Sequence, residues 1–217
     1  MKKTFLVIGL DTFGLAVAEE LTHLGYEVVA LDIKEERVNK AVNLVSEAAI
    51  GDSTDEAVLL EIGAPHVDHA IVSIPGNVQN SILTTMILSE MKVPKITVKV
   101  ENEYHAKVSE RVGATEIIDS ELSAGRRLAR KLISDNVLDY YNITDDYGVY
   151  EIKVSPTFES TKLIDMDVRN KFDVNLLLIK RGKETFSPKA DTVIYPNDVI
   201  IIIAKHNKVS KFEAILR

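Results

Sequence analysis

The chain has 217 residues, of which 46% are hydrophobic and 27% charged, as in folded globular proteins. Its length predicts one medium-sized domain with a smaller one, and its lack of cysteine excludes disulfides and thiolate metal sites. The 26 Lys and Arg residues against 33 Asp and Glu residues give a net charge of −7, which disfavours nucleic acid as the main partner because phosphate binding needs a basic surface.

Apolar segments alternate with helical segments through the first two thirds of the chain. Short apolar runs predict strands at 4–8, 27–31, 48–51, 70–74, 95–100 and 116–118. Apolar residues at helical spacing predict helices at 13–24, 35–44, 55–62, 78–91 and 103–112. Because such alternation is typical of a parallel sheet covered on both faces, we predict a Rossmann-like α/β domain over residues 1–138.

The pattern changes after a long helix predicted at 120–137. Residues 139–148 are polar and end in a glycine, so we place the junction between two domains there. Beyond it, apolar runs predict strands at 149–154, 174–181, 185–186 and 199–204. With helices near 165–171 and 209–216, residues 149–217 are expected to form a small α+β domain.

The segment from Gly9 to Gly14 follows the first strand and begins the first helix, where a dinucleotide-binding fingerprint is expected. Gly9 allows a tight turn, and Gly14 allows the helix to pack closely on the strand. Asp32 ends the second strand, where an acidic residue can hold ribose hydroxyls. The segment therefore predicts a nucleotide site, and the alternative is a Rossmann-type scaffold with an empty site.

Asp11 occupies the position of the middle glycine in that fingerprint. Two like charges about 4 Å apart repel by about 4 kcal/mol at an effective dielectric of 20. A diphosphate or triphosphate should therefore bind here less tightly than at a standard site.

A second polar segment, 51–56, follows the third strand and begins the next helix. Asp52, Ser53 and Thr54 could contact an adenosine, because the carboxyl ends of the strands line the ligand crevice in such sheets. The alternative is that Ser53 or Thr54 caps the helix.

Two further charged residues are predicted at the same edge of the sheet. Lys99, at the end of the fifth strand, could reach a phosphate, and Glu121 could hold a hydrated cation beside one. Each is also compatible with an ordinary surface charge.

The sequence lacks the motifs of common enzymes. Its five histidines show no metal-binding spacing, and it has neither a Gly-x-Ser-x-Gly nucleophile elbow nor a P-loop. We therefore expect a protein that is not an enzyme. The alternative is an NAD(P)-dependent oxidoreductase that uses Asp32 on the ribose, with the small C-terminal segment as its remaining domain.

Taken together, several segments resemble the cytosolic gating subunits of bacterial Ktr and Trk potassium uptake systems, which are regulator-of-conductance-of-potassium (RCK, or KTN) proteins. The resemblance covers essentially the whole chain and is carried by segments 5–14, 51–56, 81–85, 96–99, 104–108, 112–114 and 136–140, with Asp32. It implies a Rossmann-like domain followed by a small C-terminal RCK domain.

The same resemblance implies partners and a location. Two copies would form dimers that assemble into an octameric ring beneath a membrane-embedded potassium channel subunit. The chain would then be cytoplasmic and held at the inner face of the cell membrane through that subunit. The alternative within this fold is a regulator of another cation transporter, such as an antiporter.

In the first domain, the resemblance implies a site for ATP or ADP, or for NAD(H), and Glu121 would help to hold a cation with the phosphates. Asp11 replaces the family's second glycine, and Thr12 replaces an arginine that contacts the terminal phosphate, so both changes weaken that contact. The predicted site residues here are Gly9, Asp11, Thr12, Phe13, Gly14, Asp32, Asp52, Ser53, Thr54, Lys99 and Glu121.

In the second domain, the resemblance implies a site for cyclic di-AMP between two copies of the chain. Two adjacent apolar residues could cover an adenine, an arginine could contact a phosphate and an asparagine could bind the base. The predicted residues are Leu163, Ile164, Asp167, Arg169, Val174, Asn175 and Pro188. The alternative is that Leu163, Ile164 and Val174 are core or interface residues and that Arg169 pairs with a neighbouring aspartate.

Overall fold

The structure is a computed structural model that describes residues 2–132 and 136–217. The chain divides into two compact units, Met1–Leu122 and Ser123–Arg217. The predicted junction at 139–148 lies inside the second unit, where it forms part of a β-hairpin.

A six-stranded parallel sheet forms the first unit, in the order β3-β2-β1-β4-β5-β6, and confirms the predicted Rossmann-like fold. Its strands are β1 (Thr4–Ile8), β2 (Glu27–Asp32), β3 (Glu47–Ile50), β4 (His69–Val72), β5 (Ile96–Lys99) and β6 (Glu116–Ile118). Its helices are α1 (Thr12–His23), α2 (Glu35–Ala41), α3 (Glu56–Glu61), α4 (Val78–Glu90) and α5 (Glu103–Val112), with a 3-10 helix at Ala64–His66. The strand order reverses between β1 and β4, which opens a crevice at the carboxyl ends of these strands.

The central strands of this sheet are buried on both faces. Along β1, Leu6 and Ile8 point into one hydrophobic cluster, whereas Val7 points into another on the opposite face. Successive side chains of a strand point to opposite faces, so both sets must be apolar. This is the physical reason for the continuous apolar runs in the sequence.

The turn between β1 and α1 is held against the end of β4. Gly9 has φ +86°, and a Cβ added there would lie 1.8 Å from the carbonyl oxygen of Ser73. A Cβ added at Gly14 would lie 1.9 Å from the carbonyl oxygen of Gly9. Both predicted glycine roles are therefore matched by close backbone contacts, which place the start of α1 at the crevice.

An antiparallel sheet forms the second unit, in the order β11-β10-β13-β8-β7, with a separate pair β12-β9. Its strands are β7 (Val137–Asn142), β8 (Tyr147–Lys153), β9 (Thr161–Lys162), β10 (Val174–Arg181), β11 (Glu184–Phe186), β12 (Val193–Ile194) and β13 (Val199–Lys205). Its helices are α6 (Ser120–Leu132, which begins in the first unit), α7 (Leu163–Met166), α8 (Val168–Phe172) and α9 (Val209–Ala214). Along β13, alternate residues are buried, so one face of this sheet packs into a core with Phe172 and Phe212.

The structure corrects three predictions in the second half of the chain. Val137 begins β7 and does not end a helix; α6 is described up to Leu132, and residues 133–135 of the predicted helix lie outside the described residues. β7 has an irregular register between Val137 and Asp139, so its buried residues do not alternate and the strand signal is lost. The single helix predicted at 165–171 is two short helices, because Asp167 between them is left-handed with φ +47°.

Replacing Gly9 by alanine should destabilise the protein far more than the same change at Gly25. Both residues have positive φ, but a Cβ at Gly25 meets nothing within 4 Å. Gly25→Ala should lower the free energy of unfolding by about 1 kcal/mol from backbone strain alone. Gly9→Ala should cost at least about 2 kcal/mol more, because backbone atoms must move apart. Chemical denaturation followed by circular dichroism measures both, and equal costs would contradict the close contact.

A buried histidine lies in the first turn of α5, in contact with α4. The Nδ1 atom of His105 accepts a hydrogen bond from the Glu101 N–H (3.3 Å), and its Nε2 atom lies 3.1 Å from the Ser81 hydroxyl. Burial lowers the pKa of His105, since the charged ring would lose water without gaining a buried anion.

The stability of the first unit should therefore decrease as the pH falls. A histidine with a lowered folded-state pKa is neutral in both states above about pH 6.5, and below that pH the unfolded chain binds more protons. The free energy of unfolding should fall between pH 7 and pH 5.5, and His105→Gln should reduce this slope. His23→Gln, at an exposed position of α1, is the matched control. A slope that His105→Gln leaves unchanged would assign the effect to other groups.

Candidate functional site

A cleft of about 230 Å³ lies at the carboxyl ends of β1 to β4, where the strand order reverses. Four predicted site residues line it: Gly9, Asp32, Asp52 and Ser53. The lining also includes residues that the sequence analysis did not single out, namely Lys34, Arg37, Ser73, Asn77 and Asn80. The cleft therefore combines apolar strand ends with carboxylates, amides and two basic side chains.

Asp32 is a buried carboxylate that closes one side of the cleft. Its Oδ2 atom accepts a hydrogen bond from the Leu10 N–H (2.7 Å) and lies 3.2 Å from an Arg37 guanidinium nitrogen. Its Oδ1 atom accepts from the Lys34 N–H (2.8 Å). Asp32 thus ties the β1–α1 turn to the end of β2, and a ribose hydroxyl would share its oxygens with these donors.

Asp11 caps the N-terminus of α1 and contacts Ser73, which lines the cleft. Its Oδ1 atom accepts hydrogen bonds from the Gly14 N–H (2.9 Å) and from the Ser73 hydroxyl (2.7 Å). Its Oδ2 atom lies 3.2 Å from the ammonium of Lys99. The carboxylate therefore points into the group of donors at the helix N-terminus and does not turn outward to solvent.

Lys99 connects Asp11 to Glu121. Its Nζ atom lies 3.1 Å from a carboxylate oxygen of Glu121 and 5.5 Å from the centre of the Phe13 ring. Burial lowers the pKa of Lys99, but hydrogen bonds and charge from Glu121 and Asp11 outweigh it and raise the pKa overall. The pKa of Glu121 is lowered by hydrogen bonds from Ser120 and Lys99. Lys99 and Glu121 are therefore both charged at neutral pH.

The segment after β3 forms a compact turn beside the cleft. One oxygen of Asp52 accepts hydrogen bonds from both the N–H (2.9 Å) and the hydroxyl (2.7 Å) of Thr54, and these bonds lower the pKa of Asp52. Ser53 is buried and its hydroxyl bonds to that of Thr84 in α4 (2.8 Å). Asp52 and Ser53 face the cleft, while Thr54 serves to hold Asp52 in place.

Helix α3 is capped by a different residue from the one predicted. Asp55 is the N-cap, and its carboxylate accepts a hydrogen bond from the Ala57 N–H (2.9 Å). The prediction that Ser53 or Thr54 caps this helix is wrong, because both hydroxyls already bond elsewhere. The helix begins one residue later, at Glu56.

The remaining predicted residue of this unit, Thr12, is exposed on the first turn of α1. Among the lining residues that sequence reasoning missed, Ser73 is buried directly after β4 and donates to Asp11. Its position was a usable signal, since a polar residue that ends a central parallel strand lies at the ligand edge of the sheet.

The predicted residues of the second unit lie on α7, α8 and the start of β10. Ile164, Arg169 and Asn175 are exposed, whereas Val174 is fully buried in the core of the unit. The side chain of Val174 therefore matches the alternative interpretation as a core residue. Among the described residues, no carboxylate lies within ion-pair distance of Arg169, so the predicted alternative pairing with a neighbouring aspartate is not formed.

The other predicted residues of this group differ in exposure. Leu163 is half-buried and packs against the core, and Pro188 is also half-buried. Asp167 has φ +47° and accepts a hydrogen bond from the Asn170 amide (2.7 Å). The left-handed Asp167 turns the chain between α7 and α8, which sets Ile164 and Arg169 on separate short helices.

Over residues 2–132 and 136–217, no group of three His, Asp or Glu side chains could hold a metal ion. No helix in the described ranges combines the length and the apolar character that a membrane span requires.

Comparison with known proteins identifies the class to which the fold and cleft belong. Residues 5–120 match the TrkA-N domain family, and residues 149–217 match the TrkA-C domain family. The chain is 44% identical to the Ktr system potassium uptake protein C of Bacillus subtilis (strain 168) over 214 residues, which covers 98% of this chain and 97% of that protein. It is 38% identical to the Ktr system potassium uptake protein A of the same strain over 212 residues, with 97% and 96% covered.

The chain belongs to this family of RCK regulatory subunits of potassium uptake systems, which confirms the resemblance seen in the sequence. A solved structure titled GsuK channel bound to NAD has the same fold over all of this chain, with a TM-score of 0.69 and 13% sequence identity. The present chain spans 40% of that one.

Removing Lys99 should destabilise the first unit more than removing the charge of Glu121. The side chains of Asp11 and Lys99 are both 13% exposed, whereas that of Glu121 is 70% exposed. Lys99→Met should lower the free energy of unfolding by about 2 kcal/mol, because it leaves a largely buried carboxylate without its cation. Glu121→Gln should cost less than about 1 kcal/mol. Chemical denaturation of both variants tests this order. A larger loss of unfolding free energy in Glu121→Gln than in Lys99→Met would contradict it.

Proposed function

We propose that this chain gates a membrane-embedded potassium channel subunit from the cytoplasmic side and catalyses no reaction. The observation that carries this proposal is the relationship over 98% of the chain to a Ktr system potassium uptake protein. Ligands that bind one arrangement of the assembled subunits more tightly than another would shift the balance between them. That difference in affinity would supply the free energy for opening or closing the pore.

The cleft of the first unit favours binding over proton transfer. Its two carboxylates, Asp32 and Asp52, both accept hydrogen bonds from backbone N–H groups. The lowered pKa of Asp52 makes this group a poor general acid at neutral pH. These features speak against the alternative of an NAD(P)-dependent oxidoreductase.

We propose an adenine nucleotide as the ligand of this cleft. The cleft lies where the strand order reverses, and open α/β sheets bind their ligands at that point. Asp32 is positioned for the ribose, and Ser53 and Asp52 line the region next to it. ATP, ADP and NAD(H) share this half of the molecule. Their phosphates would extend towards Asp11 and Lys99, with Glu121 as the proposed ligand of an accompanying cation.

For the second unit we propose cyclic di-AMP as the regulatory ligand, bound between two copies of the chain. Ile164 can cover an adenine face, and Arg169 can donate two parallel hydrogen bonds to a phosphate. Asn175 can bond to the base. The exposure of all three side chains supports this assignment, because each is available to a ligand and to a second copy.

We further propose that the subunits form dimers and that these assemble into an octameric ring. Helix α6 supports assembly, since three of its leucines, Leu122, Leu128 and Leu132, are 48%, 56% and 75% exposed. Burial of such side chains against a second copy would remove apolar surface from water.

Cyclic di-AMP should bind the purified chain at one ligand per two copies, and Arg169→Ala should weaken binding at least tenfold. The reason is the loss of the charge-assisted contact with a phosphate. Lys171→Ala is the matched control, because Lys171 is an exposed basic residue two positions along α8. Titration calorimetry measures both, and absence of heat with the unmodified chain at high micromolar ligand would contradict the site.

Reconstitution with a Ktr-type membrane subunit in proteoliposomes tests the function itself. Potassium flux should change at least twofold when cyclic di-AMP is added to the complex, and it should not change with Arg169→Ala. Failure of the chain to bind the membrane subunit would favour the alternative of a regulator of another cation transporter. Turnover of NADH with a panel of hydroxy acids would instead favour the oxidoreductase.

A further inference from the structure

A side chain of the protein already bonds one N–H at the N-terminus of α1 and two donors from other strand ends. The Asp11 carboxylate receives the Gly14 N–H from the first turn of α1, the Ser73 hydroxyl from the end of β4 and the Lys99 ammonium from the end of β5. A helix N–H, a hydroxyl and an ammonium are the groups that bind a phosphate in Rossmann-type sites. Three separate elements therefore converge on one built-in anion.

We propose that the Asp11 carboxylate takes the place of a ligand phosphate, so that the cleft binds a nucleoside in preference to its diphosphate or triphosphate. This inference deepens the nucleotide site proposed above and rests on it. It assigns the base and ribose to the side of Asp32, and the turn at the start of α1, where a phosphate would bind, already holds the Asp11 carboxylate.

The surroundings of Asp11 make its displacement unfavourable. Ser73 is completely buried, so a departing carboxylate would leave its hydroxyl without the acceptor that it has now. The Gly14 N–H would lose its cap, and Lys99 would keep only the exposed partner Glu121. Asp11 is therefore held in place by groups that themselves need an acceptor.

The local charge also disfavours an added phosphate. Asp11 and Glu121 carry one negative charge each, and Lys99 carries one positive charge, so this cluster has a net charge of −1. Both carboxylates lie within 3.2 Å of the same ammonium. An incoming phosphate would meet a cation that is already neutralised, whereas an uncharged nucleoside would meet no repulsion.

Variants at Asp11 distinguish a carboxylate that replaces a ligand phosphate from one that only caps α1. In Asp11→Gly the donors are released, so an external anion should replace the lost carboxylate and stabilise the protein. Asp11→Asn keeps an oxygen that can cap α1 but removes the charge, and it serves if the glycine variant fails to fold. Asp55→Gly is the matched control, because Asp55 caps α3 in the same way at an exposed position.

The experiment measures binding of adenosine, ADP and ATP to the full chain by calorimetry, and the melting temperature with and without inorganic phosphate. The unmodified chain should bind adenosine at least tenfold more tightly than ADP, and phosphate should not raise its melting temperature. Asp11→Gly or Asp11→Asn should bind ADP at least tenfold more tightly than the unmodified chain. Phosphate should also raise the melting temperature of Asp11→Gly. Asp55→Gly should behave as the unmodified chain does.

Four outcomes would overturn the proposal. The first three are equal binding of ADP and adenosine by the unmodified chain, variants that bind ADP no better than it does, and absence of adenosine binding. Binding of ADP with Mg²⁺ to the unmodified chain as tightly as adenosine would also overturn it, since a cation would then offset the charge of Asp11. Cyclic di-AMP binding and potassium flux do not depend on these results, so failure here is distinguishable from failure of the proposed gating function.

Discussion

The contact between Asp11 and Lys99 joins the N-terminus of α1 to the end of β5, beside a residue that lines the cleft of the first unit. Asp11 begins α1 and Lys99 ends β5, 88 positions later, and the buried Ser73 at the end of β4 donates to the same carboxylate. One carboxylate therefore holds together three loops that diverge at the reversal of strand order. Because its donors include the Gly14 N–H, this free group in the first turn of α1 has an acceptor without any external anion.

The two units consequently offer ligands different kinds of surface. In the first unit, the carboxylates of Asp11 and Asp32 already have hydrogen-bond and ionic partners within the protein, so a ligand must share or displace these. In the second unit, Arg169 and Asn175 are exposed, which leaves them available to a ligand. Under the proposed function, the second unit would bind the regulatory ligand, and the first would act as a scaffold with restricted ligand choice.

Elements with a uniform burial pattern could be predicted from the sequence. Elements with an irregular burial pattern or backbone could not. The strands of the parallel sheet are buried on both faces, so apolar runs such as that of β1 located them within one or two residues. Strand β7 was not predicted, because the register shift after Val137 interrupts the alternation of its buried residues. The division of 165–171 into two helices depends on the left-handed backbone of Asp167, and aspartate also occurs within ordinary helices.

The sequence by itself determined the class of fold, the two-part organisation, the glycine turn and the position of Asp11 in place of a glycine, because each depends on local residue type and spacing. The tertiary structure alone decided which groups Asp11 contacts. Gly14 is its neighbour in sequence, but Ser73 and Lys99 reach it only after parallel pairing brings the ends of β1, β4 and β5 to one edge. From the sequence, Asp11 in place of a glycine predicts only repulsion of a phosphate. In the folded protein the Asp11 carboxylate has donors of its own, because the sheet brings them from distant strands.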